Sequence, residues 1–99
     1  MELRIQSVNF EASEQLKAFA EKKLNKLVKY TDDIIQSEMI MKVVKSDAPN
    51  NKEVAVKLNI KNAESFASKT GNSFEEAIDL CMEALEKQII RAKEKKTGK

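Results

Sequence analysis

The pattern that most constrains the fold is the alternation of apolar with mainly polar residues between positions 53 and 61. The apolar members are Val54, Val56, Leu58 and Ile60, and Glu53, Ala55, Lys57, Asn59 and Lys61 stand between them. A period of two is that of a β-strand with one face buried and the other in water. Such a strand needs neighbouring strands in a sheet and a second layer that covers one face of that sheet.

Three further segments have the composition of β-strands. They are residues 3–8 (LRIQSV), residues 37–45 (SEMIMKVVK) and residues 64–70 (ESFASKT). The segment SDAPNNK at 46–52 and the pair Asn62-Ala63 contain residues that favour turns and separate the last three strands. In the last strand, the pattern does not decide whether Phe66 or Ala67 faces the core.

Two segments have the period of an α-helix. The first follows Ser13, a suitable N-cap, and runs to about Tyr30, with Thr31, Asp32 and Asp33 ending it. Its apolar side chains recur on one face and are Leu16, Phe19, Ala20, Leu24 and Leu27.

The second helix follows a break at Gly71-Asn72. Ser73 and Glu76 have the spacing of a capping box, and the helix is predicted to extend to about Lys96. Its apolar stripe consists of Phe74, Ala77, Ile78, Cys81, Leu85, Ile89 and Ala92.

The order β-α-β-β-β-α predicts an α+β fold with a four-stranded sheet and both helices packed on one face of it. The right-handed crossover rule makes the first two strands parallel. The 99 residues fit one domain, 1–99, and we expect the basic tail from about 93 to 99 to be disordered.

Basic residues are aligned along each helix. The first basic row is Lys22, Lys26 and Lys29, spaced i, i+4, i+7, and the second is Lys87, Arg91 and Lys95, spaced i, i+4, i+8. For either helix alone, a solvated face explains the row, and the acids that begin the second helix complement its dipole. Two rows on one side of a sheet favour a single positive groove that would bind a phosphate backbone.

The sequence offers little for catalysis. There is no histidine, and the single cysteine, Cys81, lies in the apolar stripe of the second helix, where a thiol is usually inert. We therefore expect no enzyme activity, metal, cofactor or small-molecule substrate. No apolar run is long enough to span a membrane, and the start MELRIQSV lacks a signal-peptide pattern, so we expect a cytoplasmic protein.

Three quoted stretches carry a resemblance to a known family. The segment KKLNKLVKY with Asp32-Asp33, the strand MIMKVVK and the block ESFASKTGNSFEEAID resemble the ribosome hibernation promoting factors, also called S30EA or sigma-54 modulation proteins. The resemblance runs without gaps from Leu3 to about Lys96. It implies a fold similar to double-stranded RNA-binding domains.

The resemblance also implies a function and a partner. A protein of this kind binds 16S rRNA of the small ribosomal subunit, within the 70S ribosome, in the channel of mRNA and tRNA. It blocks translation in starved or stationary cells. By position, the RNA-contacting bases of the family correspond to Lys23, Lys26 and Lys29 on the first helix and to Lys87, Arg91 and Lys95 on the second. Away from the ribosome, we expect a monomer.

The chain departs from the family pattern in places. Ala84 stands where a lysine is common, Glu75 where an aromatic residue is common, and Ser73 where an aspartate caps the helix. The chain ends after KTGK, so it resembles the short form of the family. One alternative stays open: a protein-interaction module that regulates a sigma factor through the open sheet face and the acidic half of the second helix.

Overall fold

The structure is a computed structural model that describes residues 2–29, 34–44, 51–61 and 63–97, with the side chains of positions 28, 63 and 92–97 left out. Its elements are β1 (Glu2–Val8), α1 (Glu14–Lys26), a 3-10 turn (Leu27–Lys29), β2 (Ile34–Val43), β3 (Lys52–Ile60), β4 (Ala63–Gly71) and α2 (Phe74–Thr97). The predicted order β-α-β-β-β-α is confirmed.

The four strands form one sheet in the order β1-β2-β3-β4. β1 pairs with β2 in parallel, as predicted, and the other two pairs are antiparallel. The register aligns Ile5, Met39, Val56 and Ala67 across all four strands. These aligned positions belong to the apolar layer under the helices, so the alternation in β3 correctly identifies the covered face of that strand.

The core lies between this sheet face and the two helices. α2 packs across β3 and β4, and α1 packs beside α2. Leu24 of α1 and Leu85 of α2 are both fully buried in the same cluster. Ala67 is 6% exposed and Phe66 is 56% exposed, so Ala67 faces the core and Phe66 lies on the open face of the sheet.

The strand boundaries differ from the predicted ones at β2. This strand begins at Ile34, three residues earlier than expected, and its buried first residue pairs with Ile60. A bulge between Ile34 and Gln36 leaves Ile35 exposed, so the first residues of the strand do not alternate regularly between the two faces.

The other strand boundaries agree to within a residue or two, whereas the first helix, predicted to run to about Tyr30, is α-helical only to Lys26 and continues as a 3-10 turn to Lys29. β3 begins at Lys52, a residue assigned to the turn, and β4 begins at Ala63. Most of the predicted turn at 46–52, Asn62 and the end of the first helix at 30–33 lie outside the described residues. α2 is helical to Thr97, and the disorder expected from about 93 to 99 stays a prediction.

Both helices begin as the caps predicted. Ser13 Oγ accepts a hydrogen bond from the Leu16 amide at 3.1 Å, and Ser73 Oγ accepts one from the Glu76 amide at 3.1 Å. The Glu76 carboxylate reaches back to the Asn72 amide at 2.9 Å, one residue before the usual capping-box donor. A β-carbon at Gly71 would lie 2.6 Å from Glu76 Oε1 and 3.3 Å from the Ala77 nitrogen, so a larger residue there would displace the Glu76 carboxylate from the Asn72 amide.

Candidate nucleic-acid interface

The first basic row lies on the solvent side of α1 and its 3-10 turn. Leu16, Ala20 and Leu24 turn one face of α1 into the core. Lys22, Lys26 and Lys29 are exposed, and the ion pairs found between described side chains involve none of them. Their ammonium groups are therefore available to an anionic partner with little loss of existing contacts.

Lys23 has a different environment from the rest of the predicted site. Its Nζ lies 3.1 Å from Asp79 Oδ1 of α2 and 5.2 Å from the centroid of the Phe19 ring. The side chain is 25% exposed. Lys23 therefore joins the two helices, and its predicted contact with RNA stays a prediction that competes with this ion pair.

The second basic row lies in the C-terminal half of α2. Lys87 and Arg91 are exposed. Lys87 Nζ is 3.9 Å from Glu83 Oε1, but both side chains are largely in water, where such a pair contributes little. Lys95 belongs to the α2 helix by its backbone, and its side chain lies outside the described set.

A cleft of about 330 Å³ between β4 and α2, here named the β4–α2 cleft, contains both described members of the second row. It is lined by Lys69, Leu80, Glu83, Ala84, Lys87, Gln88 and Arg91. Three of these side chains are cationic and one is acidic. Ala84, where the resemblance led us to expect lysine, forms part of the wall.

Lys69 is a residue of this surface that sequence reasoning missed. It pairs with Val54 across the sheet and follows the buried Ala67 by two positions, so it lies on the helix side of β4. The signal was present in the alternation of the strand, but the sequence left open which of Phe66 and Ala67 faces inward. Without that decision, Lys69 had no assigned face.

Gln88 fixes α2 against the outer edge of β4. Its Nε2 donates to the Phe66 carbonyl at 2.8 Å, and its Oε1 accepts from the Phe66 amide at 3.3 Å. The side-chain amide of Gln88 thus occupies the N–H and C=O of Phe66, two groups of the strand edge that a further strand would use. It also sets the distance between Lys69 on the strand and Lys87 and Arg91 on the helix.

Acidic side chains separate the two basic rows. Asp79, Glu83 and Glu86 are spaced i, i+4, i+7 on α2, and Asp79 marks the side that faces α1 through its contact with Lys23. At 100° per residue, Lys87 and Arg91 lie roughly 80° and 120° around α2 from Asp79. This angular separation favours two cationic surfaces, where the sequence had suggested one groove.

The thiol of Cys81 is buried in the core. Burial raises the pKa of the Cys81 thiol to about 11, and its Sγ donates to the Val54 carbonyl at 3.3 Å. Within the described ranges, no group of three or more His, Cys, Asp or Glu side chains is placed to hold a metal ion. In those same ranges, no helix combines the length and apolar character needed to cross a membrane.

Comparisons with known proteins place this geometry in a family. The family model for Sigma 54 modulation protein / S30EA ribosomal protein matches residues 3–97. No curated protein matches the chain in sequence. The crystal structure of the Thermus thermophilus Protein Y N-terminal domain is similar with a TM-score of 0.80 at 20% identity, over 92% of this chain and 98% of that one. A ribosomal subunit interface protein from Coxiella burnetii is similar with a TM-score of 0.83 at 22% identity, over 94% and 98% of the two chains.

Proposed function

Because this chain belongs to the Sigma 54 modulation protein / S30EA ribosomal protein family, we propose that it is a ribosome-associated translation inhibitor, or hibernation factor. In this proposal it binds 16S rRNA of the small subunit in the mRNA and tRNA channel, under starvation or in stationary phase. The observation that carries the proposal is the pair of outward cationic surfaces on one helical layer. Ribosome association would place the protein in the cytoplasm.

The proposed mechanism needs no bond to be made or broken. The sheet and the shared core hold α1 and α2 as a rigid platform, and the exposed bases meet phosphates of folded rRNA. Contacts of this type position a protein by shape and phosphate spacing more than by base identity. The bound domain would exclude tRNA and mRNA by its volume.

The individual lysine and arginine side chains are not expected to contribute equally to RNA binding. Lys22, Lys26 and Lys29 are exposed without a described acidic partner, and they form the first contact surface. Lys87 and Arg91 form the second, and the proposal adds Lys95 to it from its spacing along α2. Lys23 belongs to the proposed set through the resemblance, but binding a phosphate would cost it the contact with Asp79. We therefore expect Lys23 to contribute less than Lys26.

The solved relatives support a ribosomal partner. One is a protein Y domain, and the other is described as a ribosomal subunit interface protein. Their identity to this chain is low, so they support the fold directly and the partner only through the family. The alternative of a module that regulates a sigma factor is not favoured by these comparisons.

The test is co-sedimentation with purified small subunits and 70S ribosomes. The variant Lys26→Glu/Arg91→Glu changes one base in each surface and should abolish co-sedimentation. The matched control is Lys42→Glu/Lys57→Glu, which makes the same change in charge on the open sheet face. Circular dichroism should show that both double variants are folded. Equal binding by the two variants would contradict the proposed contact surfaces.

The salt dependence of ribosome binding is a second test of the same interface. If about six phosphates are neutralised, the logarithm of the affinity should fall with the logarithm of the salt concentration with a slope of roughly −5. A slope near zero for the unchanged protein would remove the electrostatic account. Absence of the protein from the small-subunit and 70S fractions of a stationary-phase lysate would remove the ribosomal function itself.

A further inference from the structure

We infer that Lys69, together with Lys87 and Arg91, forms a binding site for a backbone phosphate of folded RNA in the β4–α2 cleft. The inference rests on the proposed function and adds to it a third cation from the sheet. It also assigns the second basic row to the β4 side of α2 and away from α1.

The three cations converge because of the fold. Lys69 stands on the edge strand on the side of the sheet that α2 covers, and it is exposed. Lys87 and Arg91 stand one turn apart on the facing helix. The Gln88 side chain bonds both the amide and the carbonyl of Phe66, which holds that helical turn against the strand.

The charge in the cleft is positive after its acid is counted. Glu83 is the only acid among the lining residues, and its 3.9 Å contact with Lys87 is long and joins two largely exposed side chains. Lys69 takes part in none of the ion pairs described for this structure. Two ammonium groups and a guanidinium therefore face the cleft with little internal compensation, and the guanidinium can bind two phosphate oxygens at once.

The walls leave room for the ligand. Ala84 contributes only a methyl group, and Leu80, 40% exposed, gives a second apolar wall. A phosphodiester carries one negative charge and two free oxygens, which suits a small cleft lined by cations. An RNA backbone that ran between the helices would instead meet Asp79 and Glu86, so the favourable path follows the edge of β4.

The test measures binding to purified small ribosomal subunits over a series of KCl concentrations. Lys69→Gln should weaken binding at low salt by up to roughly fivefold, the upper end for one exposed ion pair, and should make the salt slope less steep by about one. Lys69→Arg should keep both the affinity and the slope. Lys42→Gln removes the same charge from the open sheet face and should leave the slope unchanged.

The outcomes separate this inference from the proposed function. If the unchanged protein binds and Lys69→Gln behaves like Lys42→Gln, the phosphate site is wrong and the ribosomal function stands. If the unchanged protein does not bind, the function itself fails. Nuclear magnetic resonance titration with inorganic phosphate at constant ionic strength separates the sources of the anion. Saturable binding of inorganic phosphate at Lys69, without loss of ribosome binding in Lys69→Gln, would overturn the assignment to RNA.

Discussion

The two helices bury similar apolar faces but present different charged surfaces. α1 has a basic row along its solvent side, and one more lysine, Lys23, turned toward its neighbour. α2 begins with acids, two of them in its first turn, and carries its bases in the C-terminal half. Asp79 of α2 contacts α1 through Lys23, while Lys87 and Arg91 line the β4–α2 cleft together with Glu83.

This difference shows how a neighbour changes the meaning of a helical pattern. In isolation, three aligned bases on either helix indicate the same thing, a solvated or an anion-binding face. Beside a second element, the outcome depends on which side each base occupies. Lys23 lies in a contact between the two helices, whereas Lys87 and Arg91 line a cleft together with Lys69 of the sheet.

The largest expected effect tests whether the two helices share one core. Leu24→Ala and Leu85→Ala each remove a fully buried side chain. Each should lower the free energy of unfolding by about 3 kcal/mol, because the lost burial and the cavity both act. Urea denaturation followed by circular dichroism measures this.

The control for these two substitutions is Leu80→Ala on α2. Leu80 is 40% exposed and should lose much less stability than Leu85. A small loss for Leu24→Ala beside a large loss for Leu85→Ala would mean that α1 is anchored weakly. The two helices would then not be held equally by the core.

An effect of intermediate size on the free energy of unfolding comes from Cys81 of α2 and depends on pH. Burial raises the pKa of Cys81 from its ordinary value of 9.0 to about 11, so the folded thiol stays protonated where the unfolded one ionises. Its contribution is complete below pH 9 and is lost as pH rises toward 11. Between pH 8 and pH 10 the unchanged protein should therefore lose about 1 kcal/mol more than Cys81→Ala.

Thermal or urea unfolding at the two pH values checks this, and the difference between the two proteins cancels the contributions of all other groups. Equal losses for the unchanged protein and Cys81→Ala would show that the thiol is not protected by its place in α2. A thiol reagent should also fail to modify the folded protein at pH 8, because the thiolate is scarce there.

The sequence predicted the architecture because each element had one dominant period. Val54, Val56 and Leu58 gave the covered face of β3, and Ser13 and Ser73 gave the starts of the helices. The start of β2 was wrong because that strand was assigned from composition, which does not mark where a strand begins, and the bulge at Ile35 has no sure signal in one sequence.

The exposure of individual bases was predictable from the sequence, but the surface that they form together was less so. Exposure of Lys26 and Arg91 follows from their distance from the apolar stripes, which is local information. The partners of Lys23 and Lys69 depend on which elements pack together and on which side of α2 they pack. Those facts are set by tertiary contacts, so the single groove expected from two aligned rows became two surfaces.

The smallest expected effect decides the role of Lys23. In a double-mutant cycle, Lys23→Gln and Asp79→Asn should show a coupling of roughly 0.5 kcal/mol in the free energy of unfolding, the size typical of an exposed pair. Lys26→Gln is the matched control, since it neutralises the adjacent turn of α1 and should not couple to Asp79→Asn. In ribosome binding the order should reverse, with Lys26→Gln losing more affinity than Lys23→Gln because only Lys26 is without a described acidic partner. If the two variants lose equal affinity and Lys23 does not couple to Asp79, Lys23 is an RNA contact like the other lysines. The contrast between the charged surfaces of α1 and α2 would then lose its main support.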